Sequence, residues 1–371
     1  MTDMAPPPTT DTAGRRASRA RRRDRWVYLL SHPILFAVLA ALRRAPVRRF
    51  GRAVVVNEPE AFREALTRVP LDRVAPGTTG GFAHQLGHGL LFGQSGEEHR
   101  SARRSLGEDL SEAGVARLRP VWTAVLDRRL APLAAGEDVD MVDVTAELAG
   151  ATTAALLRVD VNPHLLTESA RAVASAALRD HLPRLPRPGR AQRTQSAIAR
   201  LTRLVGSGEA AVLATAGITT TVAAIPRAVA WCADNALWDW AADDAERPTL
   251  VAELLRVTAP SPVLPRVAAS PGVVGGCPVR PGDRLFLIAR HAVDAHRRDP
   301  DRAHPAPARI SQLVFGAGPH ACPGAKLARA QLADVLATLA PHRPVVVASR
   351  VDRHSALPGW ATLSIRAGAA R

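Results

Sequence analysis

The chain has 371 residues, 47% of them hydrophobic, so it can bury a sizeable core and is not a disordered protein. Its formal net charge of +15 comes almost entirely from arginine, and such a surface favours acidic partners or anionic surfaces. The sequence has no zinc-finger spacing, no basic-zipper heptads and no aromatic-rich RNA-binding motif, which argues against nucleic acid as a partner.

The N-terminal region is the one place where a membrane segment has to be considered. Residues 1–25 are rich in Pro and Thr and then in Arg, which predicts a disordered basic leader before a single domain over 26–371. The apolar run 26–42 is short for a bilayer span and is interrupted at 31–33. We therefore expect a first amphipathic helix and no transmembrane span, with contact to a membrane surface as the alternative.

The rest of the chain reads as mostly helical with a minor β-sheet. A small hairpin is predicted over 46–56, and residues 70–95 form a long Gly- and Pro-rich connection that could cover a substrate. The predicted helices cover 58–67, most of 97–189 up to a Pro-rich turn at 181–189, 191–235, 248–258 and 324–339. Short strands are expected over 263–288 and at 345–347, on either side of an irregular stretch at 300–311.

The three cysteines, Cys232, Cys277 and Cys322, lie far apart and form no CxxC pair. A disulfide framework or zinc site is therefore not expected, and a reducing cytoplasm fits. Cys322 stands in the segment 315–324, Phe-Gly-Ala-Gly-Pro-His-Ala-Cys-Pro-Gly, just before a predicted helix. Backbone N–H groups at a helix N-terminus lower the pKa of a thiol and can donate to a metal-bound sulfur. An arbitrary cysteine in a Gly-rich turn is more often a packing residue, so the wider pattern has to decide.

That pattern resembles the cysteine-ligand loop of the cytochrome P450 family. Six positions match it at fixed spacing: Phe315, Gly316, Gly318, His320, Cys322 and Gly324. The resemblance implies a mainly α, cytochrome P450-like fold, a haem b cofactor and Cys322 as the iron ligand. It also implies that Phe315, Gly316, His320 and Gly324 surround the cofactor.

A second match is Glu253-Leu-Leu-Arg256, whose two charged side chains share one helix face and can pair. Such a pair is common on surface helices, but in this order and distance from Cys322 it resembles the buried Glu/Arg pair of the family. The family adds an arginine before the cysteine loop. Arg302 is the first candidate for this third member and Arg309 the second.

A third match is the run 216–221, Ala-Gly-Ile-Thr-Thr-Thr, which resembles the distal helix that crosses the haem face in the family. Small residues at Ala216 and Gly217 would leave room there, and Thr219 and Thr220 are the candidate catalytic hydroxyls. Taken without its context, the run is better explained as an ordinary Ala/Gly packing position.

Further matches concern the anionic propionates of the porphyrin. His99 and Arg103 lie one helical turn apart and face the same way. These two residues, Arg266 at the start of the predicted strands and His320 in the cysteine loop resemble the propionate partners of the family. The alternative for His99 and Arg103 is a solvated helix face.

The sequence departs from the family at three places. Thr219 stands where the distal helix usually carries an acidic residue, and a hydroxyl cannot supply the charge of a carboxylate near neutral pH. Pro323 follows the expected ligand and has no N–H to donate to the sulfur. Little chain remains between 190 and 215, where the family usually has a further helix and loops.

The resemblance implies an oxidative enzyme acting on a small organic molecule, supplied with electrons by a ferredoxin and ferredoxin reductase. Together with the Ala- and Arg-rich composition, it suggests bacterial specialised metabolism. Two alternatives stay open. Thr219 is the main support for a haem enzyme on the same scaffold that performs radical coupling, isomerisation, dehydration or peroxygenation. The second is a non-catalytic accessory protein that resembles the family. The second would be expected to lose the cysteine loop, which is intact here.

Overall fold

A computed structural model describes residues 10–86, 91–181 and 190–368, and its fold is mainly α with a minor β-sheet, as predicted. The described helices are α1 (Thr10–Ser31), α2 (Pro33–Leu42), α3 (Pro59–Thr67), α4 (Thr79–Leu86), α5 (Gly96–Asp109), α6 (Glu112–Leu130), α7 (Met141–Leu157), α8 (Pro163–His181), α9 (Arg190–Val205), α10 (Gly208–Asn235), α11 (Trp238–Ala242), α12 (Arg247–Thr258), α13 (Ala289–Ala292), α14 (Ala308–Ser311) and α15 (Ala325–Leu339). The described strands are β1 (Val47–Phe50), β2 (Ala53–Val56), β3 (Val139–Asp140), β4 (Leu264–Val267), β5 (Gly272–Val274), β6 (Cys277–Val279), β7 (Arg284–Leu287), β8 (Val345–Val351) and β9 (Trp360–Arg366).

Helix α10 is the centre of the helical half of the molecule. It begins after Ser207, whose hydroxyl accepts the N–H of Ala210 at 3.1 Å, and it ends at Ala236 in the left-handed conformation. Helices α1, α7, α8, α9, α12 and α15 pack around it, and most of its residues are buried. A helix that is apolar on nearly all sides is stable in water only in such a position.

The main sheet has the strand order β1-β2-β7-β4. Strands β2 and β7 are parallel, while β1 and β4 are antiparallel to their neighbours. Val54, Leu285 and Leu287 are fully buried and pack with Phe62 of α3 in a second core. This core fixes β4, which carries Arg266 opposite Leu285.

The N-terminal arginine-rich region is not a disordered leader where the structure describes it. Residues 10–25 belong to α1, so the prediction of disorder over 1–25 is wrong for them, and residues 1–9 lie outside the described part. The reason is ion pairing that the local composition could not show. Asp24 is buried and accepts from Arg227 of α10 at 2.9 Å, while Arg23 pairs with Asp234 at the end of the same helix. The charged run therefore docks α1 onto the core.

The apolar run at 26–42 forms two helices and not one. The axes of the segments Arg19–Ser31 and Pro33–Leu42 differ by 118°, with the break at His32. Pro33 takes the first position of α2, where its missing N–H costs no hydrogen bond. Of the described helices, α10 alone is by itself long and apolar enough to cross a membrane, and 67% of that window is buried in the fold.

The predicted elements otherwise agree with the structure, with local extensions. The hairpin at 46–56 and the helices near 58–67, 248–258 and 324–339 are present. The connection at 70–95 contains α4, and its residues 87–90 lie outside the described part, as does most of the turn at 181–189. The strand expected at 345–347 extends to Val351 and pairs with β9, which the sequence pattern did not reveal.

Candidate active site

The segment 315–324 forms a tight loop that ends at α15. The N–H of Cys322 donates to the carbonyl of Phe315 at 2.8 Å, and this bond closes the loop. Gly316 and Gly318 have φ of 77° and 72°, a region that only glycine enters without strain. At Gly318 a side chain would also meet the carbonyl of Leu66 at 3.2 Å. The two glycines are therefore what lets the chain bring the cysteine to the start of the helix.

Cys322 has an exposed side chain, although protein atoms on its other sides raise the pKa of the thiol above its ordinary value. A side chain at the bottom of a cleft is accessible to solvent from one direction and is still desolvated by the protein around it, so the two observations are compatible. Three features act the other way and stabilise a thiolate: a hydrogen bond from the backbone of Gly324 and the charges of Arg103 and Arg329. The sulfur is thus open on one side and surrounded by donors and cations on the other, as an anionic metal ligand requires.

An arginine that the sequence reading did not single out supports this loop. The guanidinium of Arg329, one turn into α15, lies 4.6 Å from the ring centroid of Phe315, a cation–π distance. The pKa of Arg329 is lowered by burial. It joins the loop to α15 by a contact that no motif of the sequence announces.

The two predicted histidines meet in the structure. The rings of His99 on α5 and His320 in the cysteine loop are stacked, with centroids 3.9 Å apart and an angle of 26°. Burial lowers the pKa of both, with help from neighbouring arginine charges, and it brings that of His320 to about 3. Both rings are therefore neutral at pH 7 and can donate an N–H to an acceptor.

Arginines surround these histidines. The charges of Arg73, Arg103 and Arg266 all act on His320, and burial together with the charge of Arg73 lowers the pKa of Arg266 to about 10. Among the residues that the structure describes, no carboxylate pairs with any of the three arginines. Burial lowers the pKa of Arg73 and Arg266, and buried cations without a carboxylate partner are costly, so the cluster fits an anionic ligand.

Arg73 is the member that the sequence reading missed. It lies half-buried in the connection between β2 and α5, and burial lowers its pKa. Its only sequence signal is a basic residue in a long loop, which carries no information about where that loop folds. Gly80 lies so close to the carbonyl of Arg73 that a side chain at position 80 could not fit. This close approach of the two backbones positions Arg73.

The residues predicted to form the distal helix lie at a gap in the middle of α10. Gly217 is exposed in the middle of α10, and a side chain there would meet no atom within 4 Å. Ala216 beside it is half-buried. The hydroxyl of Thr220 donates to the carbonyl of Ala216 at 2.8 Å, and that of Thr219 donates to the carbonyl of Thr215 at 2.6 Å. Both hydroxyl protons are thus engaged by the helix backbone.

Thr219 also lines a small pocket between α8, α10 and the turn before β9, open to solvent and with a cavity volume of about 10 Å³. Its other polar lining groups are Arg171, which pairs with Asp352 at 2.7 Å, and the hydroxyl of Ser355. No carboxylate is among the lining residues. A proton that crosses this pocket would have to pass between hydroxyls or through water.

The Glu253/Arg256 pair is buried and bidentate. Both residues are at most 1% exposed, and the guanidinium donates to the two carboxylate oxygens at 2.9 and 2.7 Å. Arg256 also donates to the carbonyls of Val293, Arg298 and Asp299. The pair therefore ties α12 to the irregular chain that leads to the cysteine loop.

Arg302 is not the third member of this pair, so that prediction is wrong. Its guanidinium is half exposed and pairs with Glu246 at 2.9 Å and Asp243 at 2.7 Å. The free side of Glu253 instead accepts the backbone N–H of Ala306 at 3.0 Å. A backbone N–H thus donates to Glu253 where the family resemblance predicted an arginine. Arg309, the second candidate, has an exposed side chain.

Between the Pro-rich turn and α10 the structure has a single helix, α9, which packs on α8 and α10. The shortened region noted in the sequence is therefore occupied by one described helix.

Within the described residues, an exposed cysteine at the start of α15, a cationic cluster without carboxylate partners and a gap in the central helix together fit an anionic cofactor that is held by a cysteine. Comparison with known proteins agrees. No protein-family model matches the sequence. The erythromycin C-12 hydroxylase of Saccharopolyspora erythraea is 41% identical over 99 residues, which are 25% of this chain and 24% of that protein. Cytochrome P450 140 of Mycobacterium tuberculosis is 34% identical over 135 residues, 33% of this chain and 30% of that protein.

The matched segments thus span between a quarter and a third of these curated relatives. Solved structures match over nearly the whole chain. A mutant of P450 EryK in complex with erythromycin B superimposes with a TM-score of 0.72 at 24% identity, covering 92% of this chain and 98% of that one. Epothilone B-bound P450epoK gives 0.72 at 18% identity, with 92% and 98% covered. The chain therefore has the cytochrome P450 fold, and segments of it are similar to curated bacterial cytochromes P450.

Proposed function

We propose that this protein is a haem b-thiolate monooxygenase that oxidises a small organic molecule, with Cys322 as the iron ligand. The observation that carries the proposal is the sulfur of Cys322: exposed, at the N-terminal end of α15, with a backbone donor and two arginines near it. Haem held by a cysteine thiolate supplies oxidative chemistry with dioxygen, and the protein supplies ligand, pocket and electrostatics.

The residues of the chain fit a dianionic porphyrin. Arg103 and Arg266 have no carboxylate partner in the part of the chain that the structure describes, and the neutral rings of His99 and His320 can each donate an N–H to a carboxylate. We assign these four residues to the two propionates. Phe315, Gly316 and Gly324 shape the loop that would present the sulfur to the iron, and Ala216 and Gly217 would leave space for the cofactor and its ligand.

We assign the substrate-binding side of the site to α10, the turn before β9 and the connection 70–95. The names of the relatives direct the first screen: erythromycin B and epothilone B are ligands of matched structures and would be titrated while the haem spectrum is followed. We place the enzyme in bacterial specialised metabolism and in the cytoplasm. Its net charge of +15 favours an acidic electron donor such as a ferredoxin, reduced by a ferredoxin reductase.

The test is turnover of the full chain loaded with haem, with and without a ferredoxin, its reductase and a nicotinamide donor. A monooxygenase forms product only with the complete system, and labelled dioxygen contributes one oxygen atom to that product. Product formed without reductant, or without oxygen from dioxygen, contradicts monooxygenation.

One observation favours a second candidate, a haem enzyme that does not need the usual proton delivery. Thr219 occupies the position of the acidic residue, its hydroxyl proton is donated to Thr215, and its pocket has no carboxylate. If monooxygenation is right, Thr219→Asp should couple oxygen consumption to product more tightly, while Thr221→Asp, two residues along, should not. If neither replacement changes coupling, radical coupling, isomerisation, dehydration or peroxide use becomes the better assignment.

A further inference from the structure

Helix α2 has an apolar face that the fold leaves open. All ten residues of the helix are apolar. Phe36 and Leu39 are buried in a small core with Tyr28 and Val55, so one side of the helix is used. The other side faces solvent: Ile34 is 81% and Val38 is 49% exposed. A helix that is apolar all round normally has both sides covered.

The neighbouring chain adds an exposed tryptophan. Trp26, near the end of α1, is 52% exposed, whereas Trp122, Trp231, Trp238, Trp240 and Trp360 are each at most 5% exposed. Tryptophan is enriched where proteins meet the headgroup region of a bilayer, because its ring is apolar and its N–H is polar. Trp26 is thus the one tryptophan of the chain placed to meet an external surface.

The same region carries positive charge without compensation. The chain has no Asp or Glu between residues 25 and 57. Within the described residues, five arginines on either side of the apolar face form no ion pair with a carboxylate: Arg22, Arg25, Arg43, Arg44 and Arg48. Most other arginines of α1, by contrast, hold partners, such as Arg21 with Asp299. Apolar side chains flanked by free arginines are the pattern of a segment that lies on an anionic membrane.

The geometry favours lying on a membrane over crossing it. Helix α1 is fixed to the core by the buried contact of Asp24 with Arg227 and Arg290, so it cannot leave the fold. The 118° bend at His32 then holds α2 across the surface of the protein. A second copy of the chain is a poor occupant, because a two-fold contact through this face would bring like charges together.

We propose that the outer face of α2, together with Trp26 and the flanking arginines, is a docking surface for anionic lipid bilayers. Ile34 and Val38 enter the boundary between headgroups and acyl chains, and the arginines contact anionic headgroups. This surface is independent of the oxidative function proposed above and would give that function a location at the membrane surface.

The first experiment is co-sedimentation of the full haem-loaded chain with vesicles. Vesicles with about one third phosphatidylglycerol should bind the protein, and pure phosphatidylcholine should bind it far more weakly, since each arginine near an anionic surface contributes about fivefold in affinity, or about 1 kcal/mol. High salt should release the protein. Absence of binding to the anionic vesicles at low salt would overturn the proposal.

Two variants and one control assign the surface. Arg43→Gln/Arg44→Gln should weaken binding by about 25-fold, two steps of fivefold. Ile34→Ser/Val38→Ser, which changes only exposed side chains, should weaken it as well. Arg200→Gln/Arg203→Gln, on the exposed side of α9, should bind like the parent. Equal binding by all variants, or a dimer in solution that Ile34→Ser/Val38→Ser dissociates, would contradict the assignment.

Trp26 gives a direct reading of depth. Phosphatidylcholine brominated on its acyl chains, mixed into the anionic vesicles, should quench part of the tryptophan fluorescence of the parent. The quenched part should vanish in Trp26→Phe, because the remaining tryptophans are buried. Binding without quenching would contradict insertion of this face into the bilayer. It would mean that the contact is purely electrostatic, or that the natural partner is an acidic protein.

Discussion

Replacing Arg266 measures two effects of the cationic cluster separately: how much it destabilises the haem-free protein, and how much it contributes to haem binding. Burial, reinforced by the charge of Arg73, lowers the pKa of Arg266 from 12.5 to about 10. A drop of roughly 2.5 pKa units corresponds to about 3 kcal/mol by which the folded, haem-free protein disfavours this charge at pH 7. Methionine has a similar length and no charge. Arg266→Met should therefore stabilise the haem-free protein by about 2–3 kcal/mol.

The same replacement should weaken haem retention, since one cation for the propionates is lost. Urea unfolding of the haem-free protein, followed by circular dichroism, measures the first effect, and transfer of haem to apomyoglobin measures the second. Arg200→Met on the exposed face of α9 is the matched control and should change neither. A haem-free Arg266→Met protein that is less stable than the parent, or one that releases haem at the parental rate, would refute the argument that this cluster exists for an anion.

Three further changes test other parts of the account. Glu253→Gln should cost about 3–5 kcal/mol of unfolding free energy in urea, because it leaves a buried guanidinium without its partner; Glu60→Gln, in an exposed pair with Arg63, should cost less than about 1 kcal/mol, and equal losses would contradict the reasoning. Burial lowers the pKa of His291 to about 3, so below the ordinary value of 6.5 the unfolded chain binds a proton that the folded chain does not, and stability falls as the pH falls. Between pH 7.5 and 5 this group should remove about 2 kcal/mol, a loss absent in His291→Gln and retained in the exposed control His354→Gln; parallel pH curves for all three proteins would count against it. Pro323→Leu and Pro323→Ala both restore an N–H beside the sulfur, next to the existing donor Gly324, and both should raise the haem reduction potential in voltammetry; an unchanged or lower potential in both would show that Pro323 only begins the helix.

Local signals in the sequence predicted the parts of the site that lie close together along the chain. The cysteine loop is such a part, because two glycines, a histidine and a cysteine at fixed spacing need no long-range information. The Glu253/Arg256 pair is another, since three residues along a helix place both side chains on one face. The helix and strand periods likewise gave the fold class.

Contacts between segments that are distant along the chain could not be predicted from the sequence. Each prediction that was wrong or incomplete involves such a contact. Residues 10–25 read as a solvated charge run, yet Asp24 and Arg23 find partners more than two hundred residues away. Arg302 has the sequence distance from the cysteine loop that the third member of the Glu253/Arg256 pair should have. The irregular chain around it turns outward, however, and Arg302 pairs with Glu246 and Asp243. Arg73 joins the cationic cluster only because its loop folds back on α5 and the cysteine loop. Periodicity and spacing describe neighbours in sequence, and these residues are neighbours in space alone.

The central claim is the bond between the sulfur of Cys322 and a haem iron. The direct measurement is the absorption spectrum of the reduced carbon monoxide complex of the full chain, recorded for the parent, for Cys322→Ala and for the matched control Cys277→Ala. We expect a spectrum of the thiolate-ligated type in the parent and in Cys277→Ala, and its loss in Cys322→Ala. A thiolate-type spectrum that survives in Cys322→Ala would contradict the central claim.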